Sequence, residues 1–126
     1  MREEVKTGTS GQVEKLTGKN FEEKVLNSKI PVLVDFWWKD CGPCRTVNKY
    51  VEKIAEDWSN LGVGKVDIME EKELIEKYGV RGVPVLILFH QGKEIKRMVG
   101  LPVEYRLRKE IEGALREFGW VSKQRG

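Results

Sequence analysis

A chain of 126 residues has the length of one domain, and 40% hydrophobic with 34% charged residues is enough for one core under a densely charged surface. Its net charge of +3 is small and alternates in sign along the chain, which excludes the concentrated basic face of a nucleic-acid binder, although Lys123 and Arg125 form a basic tip. No apolar run reaches the roughly 18 residues of a membrane span, nor does Met1–Gln12 hold a signal-peptide core, so a soluble cytoplasmic protein with no membrane or nucleic-acid partner is expected.

Residues 1–11 read as a flexible tail, with Thr7-Gly8-Thr9-Ser10-Gly11 linker-like, and residues 12–126 as the folded domain. A short strand is expected near Val13–Leu16. Asn20, with Glu23 three residues on, has the spacing of a capping box and predicts a helix through about Asn27. Ile30–Trp38 gives the strongest strand signal, because Val32-Leu33-Val34-Asp35-Phe36-Trp37 is almost continuously apolar, as in a strand covered on both faces. A long helix follows the cysteines, with Val47, Val51, Ile54, Ala55 and Trp58 recurring on one stripe.

Val63–Asp67 is the next strand, and Glu71–Tyr78 a short helix that Gly79 stops in a left-handed conformation. Val85–Phe89 and Glu94–Val99 form an antiparallel hairpin about a Gln91-Gly92 turn. Val103–Phe118 closes the chain as a helix, with Leu107, Ile111, Ala114, Leu115 and Phe118 on its buried stripe and Gly119 at its end. The order β-α-β-α-β-α-β-β-α predicts an α/β fold with helices covering a mixed sheet.

The cysteine pair calls for a chemical explanation, since structural disulfides are unusual in the cytoplasm and a domain of this length needs none. In Cys41-Gly42-Pro43-Cys44 the first sulfur meets the backbone N–H groups and positive end of a helix, which favour thiolate, the nucleophilic form. Cys44, one turn on, is the more enclosed and is poised to attack a mixed disulfide. Pro43 is tolerated in a first helical turn, and Gly42 leaves room for a substrate backbone. A zinc site would have only Cys41, Cys44 and His90 as candidate ligands, one short of the usual four, so no metal is expected. Gly-Pro between the cysteines marks a turn rather than core packing. His90, at a strand end beside a turn, reads as a surface residue.

From about Val13 to Leu115 the chain resembles the thioredoxin family. The resemblance rests on five pieces in order: Val34-Asp35-Phe36-Trp37, Cys41-Gly42-Pro43-Cys44, Lys65-Val66-Asp67, Tyr78-Gly79-Val80-Arg81-Gly82-Val83-Pro84 and Val99-Gly100. It implies a thioredoxin fold of about five strands and four helices, and a protein-disulfide reductase without a cofactor. The implied partners are disulfide-containing client proteins and a thioredoxin reductase of unknown type, and the implied state is a monomer.

Residue by residue, the resemblance implies that Cys41 attacks, Cys44 resolves and Asp35 assists proton transfer at Cys44. Desolvation raises a carboxylate's pKa towards the range of a useful base; the alternative is an Asp bonded to local backbone. Lys65 either modulates Asp35 or is a solvated strand residue. Pro84 resembles the family's cis-proline, with Val83 offering its backbone to an extended substrate; an ordinary trans proline is the alternative. Trp37, Asp40, Gly42, Pro43 and Gly100 complete the implied substrate surface, Trp37 being equally a core aromatic.

Two departures from the family pattern stand out. Asp40 takes the place of the usual Trp before the first cysteine and sets a carboxylate beside the nucleophile, with Lys39 and Arg45 opposing its effect; it either tunes potential and partner choice or is neutral. Lys49 takes the place of a common helix proline, which predicts an uninterrupted hydrogen-bond ladder and less bending. A specialised reductase with few clients, or a redox-linked binding module without turnover, are the competing functions.

Overall fold

The computed structural model describes residues 11–125, so the expected tail, Gly11 apart, lies outside the described residues. Five strands, β1 (Glu14–Lys15), β2 (Val32–Trp37), β3 (Gly62–Asp67), β4 (Val85–His90) and β5 (Lys93–Val99), form one sheet in the order β1-β3-β2-β4-β5. β1 and β2 run parallel to β3, while β4 is antiparallel to both β2 and β5. The helices are α1 (Glu22–Leu26), α2 (Gly42–Asp57), α3 (Lys72–Tyr78) and α4 (Glu104–Arg116).

The alternation of side chains along a strand divides the core in two. Leu33, Leu86 and Leu88 point to one face and are covered by Val47, Val51 and Ile54 of α2 and by Leu107, Ile111 and Leu115 of α4. Val34, Phe36, Ile87 and Phe89 point to the other, where Phe21, Val25 and Leu74 cover them. Both faces of β2 and β4 are therefore dry, which is why their sequences are apolar without alternation. Asp35 shares the face of Leu33, towards α2. It is the buried charged side chain among the described residues.

Three expectations need correction. The capping box does not form: Asn20 turns its side chain back, its Oδ1 accepting from the Thr17 N–H at 2.8 Å and its Nδ2 donating to the Lys15 carbonyl at 3.1 Å. Thr17 Oγ1 instead accepts from the Asn20 N–H at 3.3 Å, and α1 is one wide turn, with the Asn27 N–H donating to the Glu22 carbonyl at 2.8 Å. Phe118 lies beyond the end of α4 and is 50% exposed rather than part of the buried stripe. His90 is half-buried, not a free surface residue; its ring meets Phe118 edge-on at 5.0 Å.

The turn chemistry acts where expected. Gly79 ends α3 at φ 63°, and Gln91 (φ 54°) and Gly92 (φ 80°) make the β4–β5 turn. Arg97 of β5 ties α3 to the sheet, donating to the Tyr78 carbonyl at 2.7 Å while its guanidinium forks onto Glu94 at 2.8 Å. After α4 the chain turns back over the end of α2. Trp120 packs edge-on against Trp58 at 5.7 Å, and Gln124 bridges to Trp58.

Candidate active site

Register places the expected site residues at one end of the sheet. Phe36 pairs with Val85 and Trp37 with Asp67, so the end of β2 adjoins Pro84, just before β4, and Ile68, just after β3. Val85 pairs with Val99, which sets Gly100 beside Pro84, and the Gly100 N–H donates to the Pro84 carbonyl at 3.0 Å. The chain leaves β2 through a tight turn, closed by the Cys41 N–H donating to the Trp38 carbonyl at 3.2 Å, and enters α2 above that same end.

Cys41 is the N-cap of α2, with extended backbone at φ −116° and ψ 110°. Its sulfur accepts the Cys44 N–H at 3.1 Å, so an N–H left without a partner in the first turn is aimed at the sulfur. The same N–H and the helix dipole stabilise negative charge there when the pair is reduced. Pro43 occupies the first turn, where its missing N–H costs no helical bond. Gly42 faces open space: a Cβ there would meet nothing within 4 Å. Cys41 and Cys44 are joined as a disulfide with Cα atoms 5.3 Å apart, and their exposures differ, 9% against 0%.

Asp35 lies on the strand face beneath α2 and is 0% exposed. Burial lifts its pKa from 3.8 to about 7, with the positive charge of Lys65 pulling the other way. Lys65 is its register partner on β3, and the Lys65 Nζ lies 4.8 Å from the centre of the half-buried Trp37 ring. Asp35 Oδ1 is buried without a hydrogen-bond partner. Oδ2 is met by Asn48, a residue that no sequence motif singles out. With its amide nitrogen turned inward, the orientation that satisfies both of its polar atoms, Asn48 donates to Oδ2 and, at 3.2 Å, to the Cys44 carbonyl.

Around this centre the Val83–Pro84 peptide is cis, Val83 is half-buried, and Gly100 adopts φ 96° with open space at its Cβ position. Val99 (75% exposed) and Leu101 (52%) extend the apolar rim. Asp40, Gly42 and Pro43 are exposed beside Cys41, and Arg45 reaches back to the Lys39 carbonyl at 3.4 Å.

The chain that carries this arrangement is similar to known proteins. The thioredoxin family profile matches residues 12–113. The chain belongs to the thioredoxin family. It is 45% identical to thioredoxin of Rickettsia bellii over 87 residues, covering 68% of this chain and 83% of that protein. Identity to thioredoxin 1 of Synechococcus elongatus is 42% over 86 residues, covering 68% and 80% respectively. A solved structure of a mutant thioredoxin from Halobacterium salinarum superposes with a TM-score of 0.77 at 35% identity, covering 84% of this chain and 93% of that one. The five-stranded mixed sheet with its helices is the thioredoxin fold, and the chain is a thiol–disulfide oxidoreductase. Membership implies disulfide-bearing client proteins and a reductase partner. Among the described residues no helix is long and apolar enough to cross a membrane.

Proposed function

We propose that this thioredoxin-family protein is a protein-disulfide reductase in which Cys41 attacks, Cys44 resolves and Asp35 serves as the base for Cys44. The observation that carries this reading is the asymmetry of the pair. Cys41 caps the helix with its sulfur on a backbone N–H, and Cys44 is fully buried one helical turn before Asn48, the residue that bonds Asp35. In the reduced protein the Cys41 thiolate attacks a client disulfide, forming a mixed disulfide and releasing the first client thiolate. Cys44 then gives its proton to Asp35 and attacks Cys41, which frees the second client sulfur and leaves the Cys41–Cys44 disulfide.

Trp37, Val83, Pro84 and Gly100 supply the docking surface, and Gly42 and Pro43 its floor; the half-exposed, mainly apolar rim that includes Val99 and Leu101 supports this assignment. The functional domain begins at residue 12, where the family match begins, and the tail precedes it. The protein acts as a monomer in the cytoplasm, recharged by a thioredoxin reductase. Among the described residues the absence of a membrane-length helix fits that setting.

Two tests follow. Reduction of a disulfide-bonded protein by dithiothreitol should be accelerated by the wild type and not by Cys41→Ser or Cys44→Ser. A wild type that adds nothing to dithiothreitol alone would instead favour a binding module. Asp40 places an exposed negative charge on the rim, and we assign it a modest tuning role: it disfavours the Cys41 thiolate and prefers clients with a basic residue beside their disulfide. Asp40→Asn should make the reduced Cys41 ionise more readily, and added salt should shrink the difference from wild type because the charge is exposed. Indistinguishable titrations would make Asp40 neutral.

A further inference from the structure

Asn48 follows Cys44 by four residues, which stacks it one turn along the same face of α2, above β2. Its amide has two N–H donors, one spent on the Cys44 carbonyl and one on Asp35 Oδ2. The residue therefore fastens the buried carboxylate to the helix that carries the resolving thiol. The two carboxylate oxygens are left unlike: Oδ2 holds a donor, while Oδ1 is buried with none.

We propose that Asn48 is a positioning residue for the resolving step, holding Asp35 by Oδ2 so that Oδ1 is the oxygen that takes the Cys44 proton. This rests on the reading of Asp35 as the base. In that step the Cys44 S–H bond breaks and its proton goes to Oδ1. The Cys44 sulfur forms its bond to Cys41 as the Cys41–client S–S bond breaks. The client sulfur leaves with that electron pair and is protonated by solvent, and Asp35 later releases its proton to solvent. Two electrons have then passed from the dithiol to the client disulfide.

The physical reason is that a buried carboxylate resists ionisation, and a donor on its charged form opposes that resistance. An amide lends this hydrogen bond without adding charge, and from Oδ2 it leaves the Oδ1 lone pairs open. The other groups facing Asp35 are Lys65 from β3, which also favours the charged form, and Leu86 from β4, which is apolar; on α2 the buried Cys44 precedes Asn48 by one turn. If Asn48 served only to bond its own helix carbonyl, its loss would leave the protonation of Asp35 unchanged.

The test is Asn48→Ala, a substitution favourable to a helix. The Asp35 carboxyl is followed by NMR titration of the oxidised protein, beside the pH profile of disulfide reduction in wild type, Asn48→Ala, Asp35→Asn and the double variant. Loss of one hydrogen bond to a buried carboxylate should raise the Asp35 midpoint by about one to two pH units. Reduction at neutral pH should slow about five-fold or more as the ionised fraction falls. The double variant should match Asp35→Asn, because Asn48 acts through Asp35. An unmoved or lowered midpoint, or an Asn48→Ala deficit that persists without Asp35, overturns the proposal. A wild-type profile in Asp35→Asn overturns the assignment of the base itself, and is told apart from failure of Asn48 alone by a shifted profile in Asp35→Asn with an unmoved one in Asn48→Ala.

Discussion

At the scale of single residues, the site sets one carboxylate against the stability of the fold. Unfolded, Asp35 ionises near 3.8, whereas burial holds its pKa at about 7 in the folded chain. Between those values the unfolded chain has lost a proton that the folded chain keeps, so rising pH favours unfolding. Stability is full below 3.8, falls through that window and levels off above about 7, a loss of at most about 4 kcal/mol. Asp35→Asn removes the ionisation. Urea unfolding of the oxidised proteins should give it little advantage at pH 4 and a gain of about 3 kcal/mol over wild type at pH 8. An advantage that does not grow with pH would mean that Asp35 is not held neutral by burial. Asp35 was legible in the sequence because a lone acid in Val32-Leu33-Val34-Asp35-Phe36-Trp37 has to be paired or neutral once buried. Asn48 was not legible. Its bond to Asp35 joins two elements across the α2–β2 packing, and an Asn in a helix reads as a polar surface residue until that packing is known.

At the scale of elements, the strongly periodic segments were readable and the end effects were not. The stripe Val47, Val51, Ile54, Ala55 and Trp58 identified α2 and its buried face, and α2 runs unbroken through Lys49 where the family often has proline. The short-range signal at Asn20 misled, because Asn20 also finds partners behind it, at Thr17 and Lys15, and those bonds win. The segment after α4 carried no periodicity at all, yet it finishes α2. Arg125 donates through its N–H to the Asp57 carbonyl at 2.7 Å and through its guanidinium to the Glu56 carbonyl at 3.0 Å and the Trp58 carbonyl at 3.3 Å. Those are the carbonyls a helix C-terminus leaves open, and the positive charge sits at the negative end of the dipole. Asn60 holds the same segment, accepting from the Lys123 N–H at 3.1 Å. Arg125→Ala should therefore lower stability by about 1 kcal/mol and speed amide exchange in the last turn of α2, while exchange near Cys44 stays unchanged. Equal protection at both ends in the variant and the wild type would show that the strap does not secure the helix.

At the scale of the whole molecule, a rigid, doubly covered sheet presents one end to clients. The ends of β2, β3 and β5, the start of β4 and the start of α2 converge there; Trp37, Cys41, Pro84 and Gly100 lie at or beside those termini, while Asp35, Lys65 and Asn48 reach the site from within their elements. This explains why the overall architecture was readable from the order of elements, since both apolar faces and the hairpin turn leave few ways to arrange them. Which residues meet at the site depends on register, which no stretch of sequence states by itself. Disulfide exchange at this end of the sheet requires a division of labour between two sulfurs only three residues apart. Cys44→Ser, incubated with a disulfide-bonded protein and analysed by mass spectrometry after tryptic digestion, tests it most directly. The expected result is a stable mixed disulfide linking the client to Cys41, with no comparable adduct at Cys44 when Cys41→Ser is treated alike. Equal adducts at either cysteine, or none at Cys41, would contradict it.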